Sequence, residues 1–130
     1  GLFQLQFLDE TIQCRQKNYM KIREAIAQNP DLVPLEHGHL KVLSAFAIPV
    51  LCKTPELRNR YANQFLEAGI GIRPMIAGNI QLQPFFKKYN PVEESLPGAD
   101  FLHHNSFYCG NYPELTPKDV ELICACLMKY

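Results

Sequence analysis

The first 28 residues carry the pattern that most restricts the fold, an apolar stripe at helical spacing. Apolar side chains recur in steps of three and four at Leu5, Leu8, Ile12, Tyr19, Ile22 and Ile26. The spacing predicts one amphipathic helix from Gly1 to Gln28, with Arg15 on the same stripe and Asn29-Pro30 as its end. Such a helix needs a cover along its whole length. Two interpretations are open. The helix packs on the chain's own sheet, or its N-terminal half packs against a surface outside this sequence.

The middle of the chain predicts an edge strand followed by a second helix. The apolar run from Leu43 to Lys53 is typical of a strand, and Pro49 favours an edge or a bulge because proline cannot donate a ladder hydrogen bond. Thr54 and Pro55 are typical of a helix start, and Gly69 of a helix end. The apolar face predicted for this helix consists of Leu57, Tyr61, Phe65 and Leu66.

The second half of the chain predicts two more strands and further helices. Strands are expected at Ile70–Met75 and in SFYCG at 106–110, and short helices at 80–88 and in DFLHHNSF. A polar loop, YNPVEESLPGAD, separates the two short helices. Thr116, Pro117 and Asp119 form a near capping box before a last helix, whose predicted core residues are Leu122, Ile123, Cys126 and Leu127. The order predicts an α+β fold, a small sheet packed by helices, with the strand directions left open.

Composition and charge exclude several classes of partner. The 130 residues fit one domain, and 13 basic against 13 acidic side chains give no electrostatic support for nucleic acid or an anionic membrane. No apolar run approaches the roughly 20 residues of a membrane span. Five cysteines without CxxC spacing are expected to be reduced and mostly buried, as in a cytoplasmic protein.

The beginning of the sequence favours a piece of a longer chain. GLFQLQFLDE lacks both an initiating methionine and the flanks of a signal peptide, and it starts inside the predicted helix. We therefore expect a further segment upstream.

The segment GIRPMIAGNIQLQP contains the candidate site residues. Arg73 lies near the end of a predicted strand and precedes a proline, and a guanidinium there can hold a carboxylate or phosphate in bidentate geometry. Gly78 permits close approach of backbone or ligand, and Asn79 offers a donor and an acceptor. The structural alternative is an arginine paired with a surface carboxylate and an asparagine that caps the helix near Ile80.

The histidines and cysteines are weaker candidates for a functional site than the Arg73 segment. His37, His39, His103 and His104 have no ligand partners at recognisable spacing, so no metal site is predicted. His103 or His104 could donate a hydrogen bond at the edge of a site. Cys109 would act as a nucleophile only with a nearby base and a lowered thiol pKa.

The chain resembles the C-terminal small domain of the DegT/StrS-type nucleotide-sugar aminotransferases, pyridoxal-phosphate enzymes of the aspartate-aminotransferase fold. The opening GLFQLQFLDETIQCR is similar to that family's G-L-x-Q-L-x-x-L-D-x-x-I-x-x-R helix, and FAIPV, GIGIRPMIAGNIQLQP and GADFLHHNSFYCGNYPELT follow in the family's order. Within the family, R-P-M-I-A-G-N-I-Q-L-Q-P and NSFYCGNYPELT resemble the nucleotide 4-keto-6-deoxyhexose 3-dehydratases. An aminotransferase is the alternative.

The resemblance implies a domain organisation and a cofactor. Residues 1–28 would be a linking helix and residues 29–130 the small α+β domain, with an upstream large domain that holds pyridoxal or pyridoxamine phosphate (PLP/PMP). The lysine of the Schiff base, or the histidine that replaces it in the dehydratases, would lie upstream. No catalytic or cofactor-binding residue is then expected in this sequence, and the isolated piece is expected to be inactive.

The resemblance also implies a substrate and the residues that face it. The parent would be a homodimer acting on a nucleotide-linked 4-keto sugar, in deoxysugar synthesis for lipopolysaccharide. Arg73 would contact the sugar nucleotide or its phosphates, and the Gly78-Asn79 turn the sugar. His104 and Asn105 are further candidates. From the residues alone, a free-standing anion-binding module or a dimerisation domain remain alternatives.

Overall fold

The computed structural model describes residues 1–76, 78–90, 92 and 94–128. Ala77 of the predicted turn, Pro91 and Glu93 of the polar loop, and the terminal Lys129 and Tyr130 lie outside the described residues. The elements in chain order are α1 Leu2–Leu5, α2 Leu8–Gln28, β1 Ala47–Leu51, α3 Pro55–Glu67, β2 Ile72–Pro74, a 3-10 helix Ile80–Leu82, α4 Pro84–Tyr89, α5 Pro97–Asn105, β3 Ser106–Gly110 and α6 Pro117–Leu127.

The three strands form one antiparallel sheet in the order β1-β3-β2. The last strand in sequence is therefore the central one, and β1 and β2 are both edges. Pro49 lies in β1 opposite Tyr108, so its missing N–H falls on an edge strand, as predicted. The predicted α+β fold, a small sheet packed by helices, is confirmed.

The core lies on one face of this sheet. Phe107 and Cys109 of β3 are buried and, because strand side chains alternate, they share a face with Ile48 and Val50 of β1. Phe65 of α3 meets Phe107 edge-on at 5.2 Å between ring centroids. The same cluster contains Tyr19, Ile22 and Ile26 of α2 and Val120, Ile123, Cys126 and Leu127 of α6. The helices thus cover the face opposite to Tyr108.

The N-terminal helix differs from its prediction. It is interrupted at Gln6–Phe7, and Phe7 has φ −103° and ψ 5°, outside the helical region. Residues 1–10 are all exposed, including Leu5 at 59% and Leu8 at 47% of the stripe. Residues 1–7, the N-terminal arm, pack against no buried surface among the described residues. Tertiary contacts therefore do not stabilise a continuous helix there. The buried residues of α2 all lie in its C-terminal half.

Caps set the ends of α3 and α6 as predicted. The Thr54 hydroxyl accepts from the Leu57 N–H (3.3 Å) at the start of α3. At its end Gly69 has φ 76°, and the Gly69 and Ile70 N–H groups donate to Leu66 and Phe65 in a Schellman motif. Thr116 and Asp119 form a full capping box at the start of α6.

Three details of these elements were predicted wrongly. Leu66 and Leu122 are 57% and 44% exposed, because each lies about 100° around its helix from a buried neighbour, Phe65 or Ile123. The single helix expected over 80–88 is two elements, since Pro84 drives Gln83 out of the helical region to ψ 138°.

No helix in the described ranges is long and apolar enough to cross a membrane.

Candidate functional site

Arg73 lies on the face of the sheet that the helices leave open. In β2 it is directly opposite Tyr108 of β3, so the two side chains share a face. Its side chain is exposed, and no hydrogen bond or ion pair engages it within the described part of the chain. The surface carboxylate partner considered as an alternative is not found among those residues. Arg73 is therefore free to bind an anion.

Aromatic side chains surround this guanidinium. Arg73 lines a surface cavity of about 360 Å³ together with Phe46, Gly71, Ile72, Tyr108, Gly110 and Tyr112. Phe46 and Tyr108 meet edge-on at 6.4 Å between centroids. The Tyr112 ring lies over Gly110, so a Cβ at that position would require the exposed Tyr112 side chain to move. A cation walled by rings suits an anionic ligand that also carries an apolar or flat part.

The Gly78-Asn79 turn is built against α5 rather than around Arg73. Gly78 has φ 52°, and an added Cβ would overlap the His103 ring. The Asn79 side chain accepts from the Gln81 N–H (2.9 Å) and donates to Asp100 Oδ1 (2.6 Å), and its backbone N–H donates to His103 Nδ1 (3.3 Å). Asn79 is 4% exposed. The structure gives it the capping role, while contact with substrate stays a prediction.

His104 and Asn105 occupy the end of α5. His104 is exposed, and its ring meets that of His103 edge-on at 4.9 Å. Asn105 is buried, donates to the Lys53 carbonyl (3.1 Å), and its own carbonyl accepts from the Cys52 N–H (2.9 Å). Asn105 thereby ties α5 to the end of β1. Neither residue lines the cavity of Arg73.

The buried thiols of Cys52 and Cys109 are unsuited to nucleophilic chemistry. All five are free, and burial raises the pKa of the Cys109 and Cys52 thiols to about 12 each. Since the thiolate is the nucleophile, almost none is present at neutral pH. The condition set for Cys109, a lowered pKa, is not met. Within the described ranges no cluster of three or more histidine, cysteine or acidic side chains could hold a metal ion.

Sequence reasoning missed the aromatic walls of the Arg73 cavity. The alternation within SFYCG could have placed Tyr108 on the face away from Phe107 and Cys109. The register that sets Tyr108 against Arg73, 35 positions earlier in the chain, has no local signal. Phe46 and Tyr112 come from loops beside β1 and β3, whose paths depend on the sheet.

The chain belongs to the DegT/DnrJ/EryC1/StrS aminotransferase family, whose sequence profile matches residues 1–128. Among individual proteins, it is 31% identical to the lipopolysaccharide biosynthesis protein RfbH of Salmonella typhimurium, over 95% of this chain and 29% of RfbH. It is 24% identical to dTDP-4-dehydro-2,6-dideoxy-D-glucose 3-dehydratase of Saccharopolyspora spinosa, over 100% of this chain and 29% of that enzyme.

A solved structure has the same fold. E. coli GDP-4-keto-6-deoxy-D-mannose-3-dehydratase, with bound hydrated PLP, superposes with a TM-score of 0.82 at 24% identity, over 98% of this chain and 33% of that one. The predicted family and fold are confirmed. The chain spans less than a third of the length of the curated relatives it matches.

The described residues do not fit a site for PLP. The cofactor would need a lysine or its substitute in an enclosed cavity beside a phosphate cradle. Every described lysine is exposed. The cavity around Arg73 contains no lysine and is lined by a single cation. No step through the cofactor can therefore be assigned to these residues.

Proposed function

We propose that this chain is the small domain of a longer PLP- or PMP-dependent nucleotide-sugar enzyme of the 4-keto-6-deoxyhexose 3-dehydratase type. Residues 1–28 would link residues 29–130 to an upstream cofactor domain, as the family resemblance implies. The similarity to RfbH favours a deoxysugar for lipopolysaccharide, and the dTDP-sugar dehydratase favours loss of a hydroxyl. The parent would be a homodimer whose substrate is a nucleotide-linked 4-keto sugar.

The observation that supports this proposal is Arg73 in its aromatic cavity, without a hydrogen bond or ion pair to any described residue. A nucleotide sugar has a diphosphate that a guanidinium can bind in bidentate geometry, and apolar ring faces that aromatic side chains can contact. Arg73 would therefore form part of the wall facing the substrate, while catalysis lies on the cofactor domain. The Gly78-Asn79 turn, His104 and Asn105 remain proposed contacts or supports of that wall.

The test is Arg73→Ala in the longer polypeptide. Losing one charge-assisted contact to the substrate should lower kcat/KM roughly 10- to 100-fold. The stability of the chain should change by less than about 0.5 kcal/mol, because Arg73 is exposed and unpaired. Arg58→Ala, which removes an arginine bonded to the neighbouring Asn59, is the matched control. A large fall in Tm with unchanged turnover would show a structural arginine instead.

The family description favours an aminotransferase as the second candidate. The two chemistries differ at the residue that meets the cofactor in the longer polypeptide. By the family resemblance, lysine there indicates amino transfer, whereas histidine indicates dehydration. Amination of a 4-keto nucleotide sugar by the purified longer protein would establish the aminotransferase alternative. A reading frame that encodes these residues and no more would instead favour an independent anion-binding module.

A further inference from the structure

We propose that Asn111 and Asn18 are positioning residues of the Arg73 cavity, because together they fasten its aromatic walls to α2. We call these two asparagines the amide clamp. The inference rests on the proposed function, since it takes the Arg73 cavity to hold part of the substrate. It adds which polar groups outside the cavity keep its walls in place.

Asn111 joins three segments that are far apart in the sequence. It directly follows β3, and its Nδ2 donates to the Arg15 carbonyl of α2 (3.0 Å) and to the Ala45 carbonyl before β1 (2.8 Å). Its backbone N–H donates to the Phe46 carbonyl (2.8 Å). The side chain is fully buried. Asn111 thus fixes the end of β3 against the helix and against the segment that enters β1.

Asn18 holds the same region from the helix side. It lies on α2, three positions after Arg15, and its Nδ2 donates to the Tyr112 carbonyl (3.3 Å). The bonds run in opposite directions, because Asn111 donates to the helix and Asn18 donates back to the residue after Asn111. Since hydrogen bonds depend on both distance and angle, such a pair restricts the separation and the rotation of the two segments.

The backbone segments that the clamp holds carry walls of the cavity. Phe46 and Tyr112 both line the Arg73 cavity. Asn111 is bonded to the backbone of Phe46, and Asn18 to the backbone of Tyr112. A side chain can occupy only a few rotamers on a given backbone. The clamp therefore restricts where both rings can lie relative to the guanidinium.

The Asn111 amide has a feature that stability alone does not explain. Its Oδ1 is buried and accepts no hydrogen bond from a described residue. An unpaired buried acceptor destabilises the folded state. Proteins keep such departures from good packing mainly at functional sites. The unpaired oxygen is therefore an observation, separate from the cavity, that favours a role beyond stability.

The clamp acts on the ligand through other residues. Within the described part of the chain, the lining of the Arg73 cavity does not include either asparagine. Loss of the clamp should leave the charge of Arg73 in place and displace the rings beside it. The affinity for a ligand that has both an anionic group and a flat ring, such as a nucleoside diphosphate, should then fall.

Titration calorimetry on the longer polypeptide from the same reading frame tests the inference. The probes are the nucleoside diphosphates GDP, CDP, UDP and dTDP. Asn111→Ala and Asn18→Ala should each raise the Kd of the tightest-binding probe at least about 5-fold, because displaced walls lose contact with the base. Asn18 is only partly buried, so its variant should stay folded even if Asn111→Ala does not.

Asn29→Ala is the matched control. Asn29 is also buried, and its Nδ2 also donates two bonds, to the Tyr61 hydroxyl (2.6 Å) and to the Leu127 carbonyl (2.5 Å). The described lining of the Arg73 cavity contains none of these three residues. Asn29→Ala should therefore lower the Tm and leave the Kd within about 2-fold of the parent.

Two readouts separate positioning from stability. A merely structural asparagine would lower the fraction of protein that binds, while the folded molecules keep the parent's Kd. In the 130-residue chain, the rings of Phe46 and Tyr108 meet edge-on at 6.4 Å between centroids and should give a nuclear Overhauser effect. This signal should be lost in Asn111→Ala and retained in Asn29→Ala.

Three results would contradict the proposal in different ways. An unchanged Kd in both clamp variants of a parent that binds a probe would overturn the positioning role and leave the proposed function standing. An equal rise of the Kd in Asn29→Ala would show a general loss of stability and overturn the inference too. Binding of no probe by the parent would overturn the proposed function and the inference together.

Discussion

At the scale of single residues, the structure separates an exposed charged side chain from buried polar side chains that support the fold. Arg73 is exposed and has no hydrogen bond or ion pair among the described residues, whereas Asn79 is buried with both ends of its amide engaged. The two lie only six positions apart in a segment that reads as a single motif. The difference follows from direction, since Arg73 shares the sheet face of Tyr108, which the helices leave open, while Asn79 bonds to Asp100 and His103 of α5.

Gly78→Ala should destabilise the chain by about 1–3 kcal/mol, because alanine at φ 52° is strained and its Cβ would overlap the His103 ring. Denaturant unfolding of the isolated chain measures the change. Gly98→Ala is the control, as an added Cβ there meets no atom within 4 Å and the residue lies in α5, where alanine is favoured. Equal stability of Gly78→Ala and the parent would mean that the turn has another conformation.

At the scale of elements, hydrogen bonds between residues close in sequence determine where helices begin and end. Contacts between distant residues determine how the helices pack. The capping box of α6 consists of the Thr116 N–H to Asp119 (2.8 Å) and the Asp119 N–H to the Thr116 hydroxyl (3.3 Å). That cap starts a helix whose four buried residues complete the core. The Thr116 hydroxyl also donates to Asp119 Oδ2 (2.7 Å), and this bond, followed by the one from the Thr116 N–H, lowers the pKa of the Asp119 carboxyl.

Asp119→Asn should therefore lower the Tm at pH 7 and not at low pH. A carboxyl whose folded pKa is depressed contributes stability above its unfolded pKa of about 3.9, and this contribution is lost as pH falls through the folded pKa. Thermal melts of the parent and the variant should converge by about pH 2. Glu114→Gln, which removes a carboxylate outside the capping box, serves as the control. A Tm difference that is the same at both pH values would contradict an ionised cap.

At the scale of the whole molecule, the described residues form one buried core and leave two groups of apolar side chains exposed. The core lies between α2, α3, α6 and the inner face of the sheet. One group lies on the sheet side of Tyr108, where Phe46 is 58% and Ile76 60% exposed, and the other is the arm of residues 1–7, where Leu2 is 87% and Phe3 76% exposed.

Deleting residues 1–7 should change the Tm by no more than about 3 °C, since none of them is buried. Ile22→Ala is the contrast, because Ile22 is fully buried and its truncation should cost about 2–4 kcal/mol. Thermal melts followed by far-UV circular dichroism compare the two. A loss of stability in the deletion as large as that of Ile22→Ala would show that the arm packs on the core.

The sequence by itself determined the features that depend on neighbouring residues. Thr54, Gly69 and Thr116 set helix ends through bonds spanning a few positions, and Pro49 restricted β1 to an edge, so all of these were predicted. Family and fold class also followed from motifs in chain order. The sequence also indicated that the apolar stripe in the N-terminal half of the first helix needs a packing surface, in this chain or outside it.

Only the tertiary structure decided which strands are neighbours and what faces the cation. The order β1-β3-β2 pairs the last strand with both earlier ones, through contacts between residues dozens of positions apart. Such pairing depends on the closing of long loops around a shared core, and no local preference encodes it. For that reason Arg73 could be named from the sequence, whereas Phe46, Tyr108 and Tyr112 around it could not.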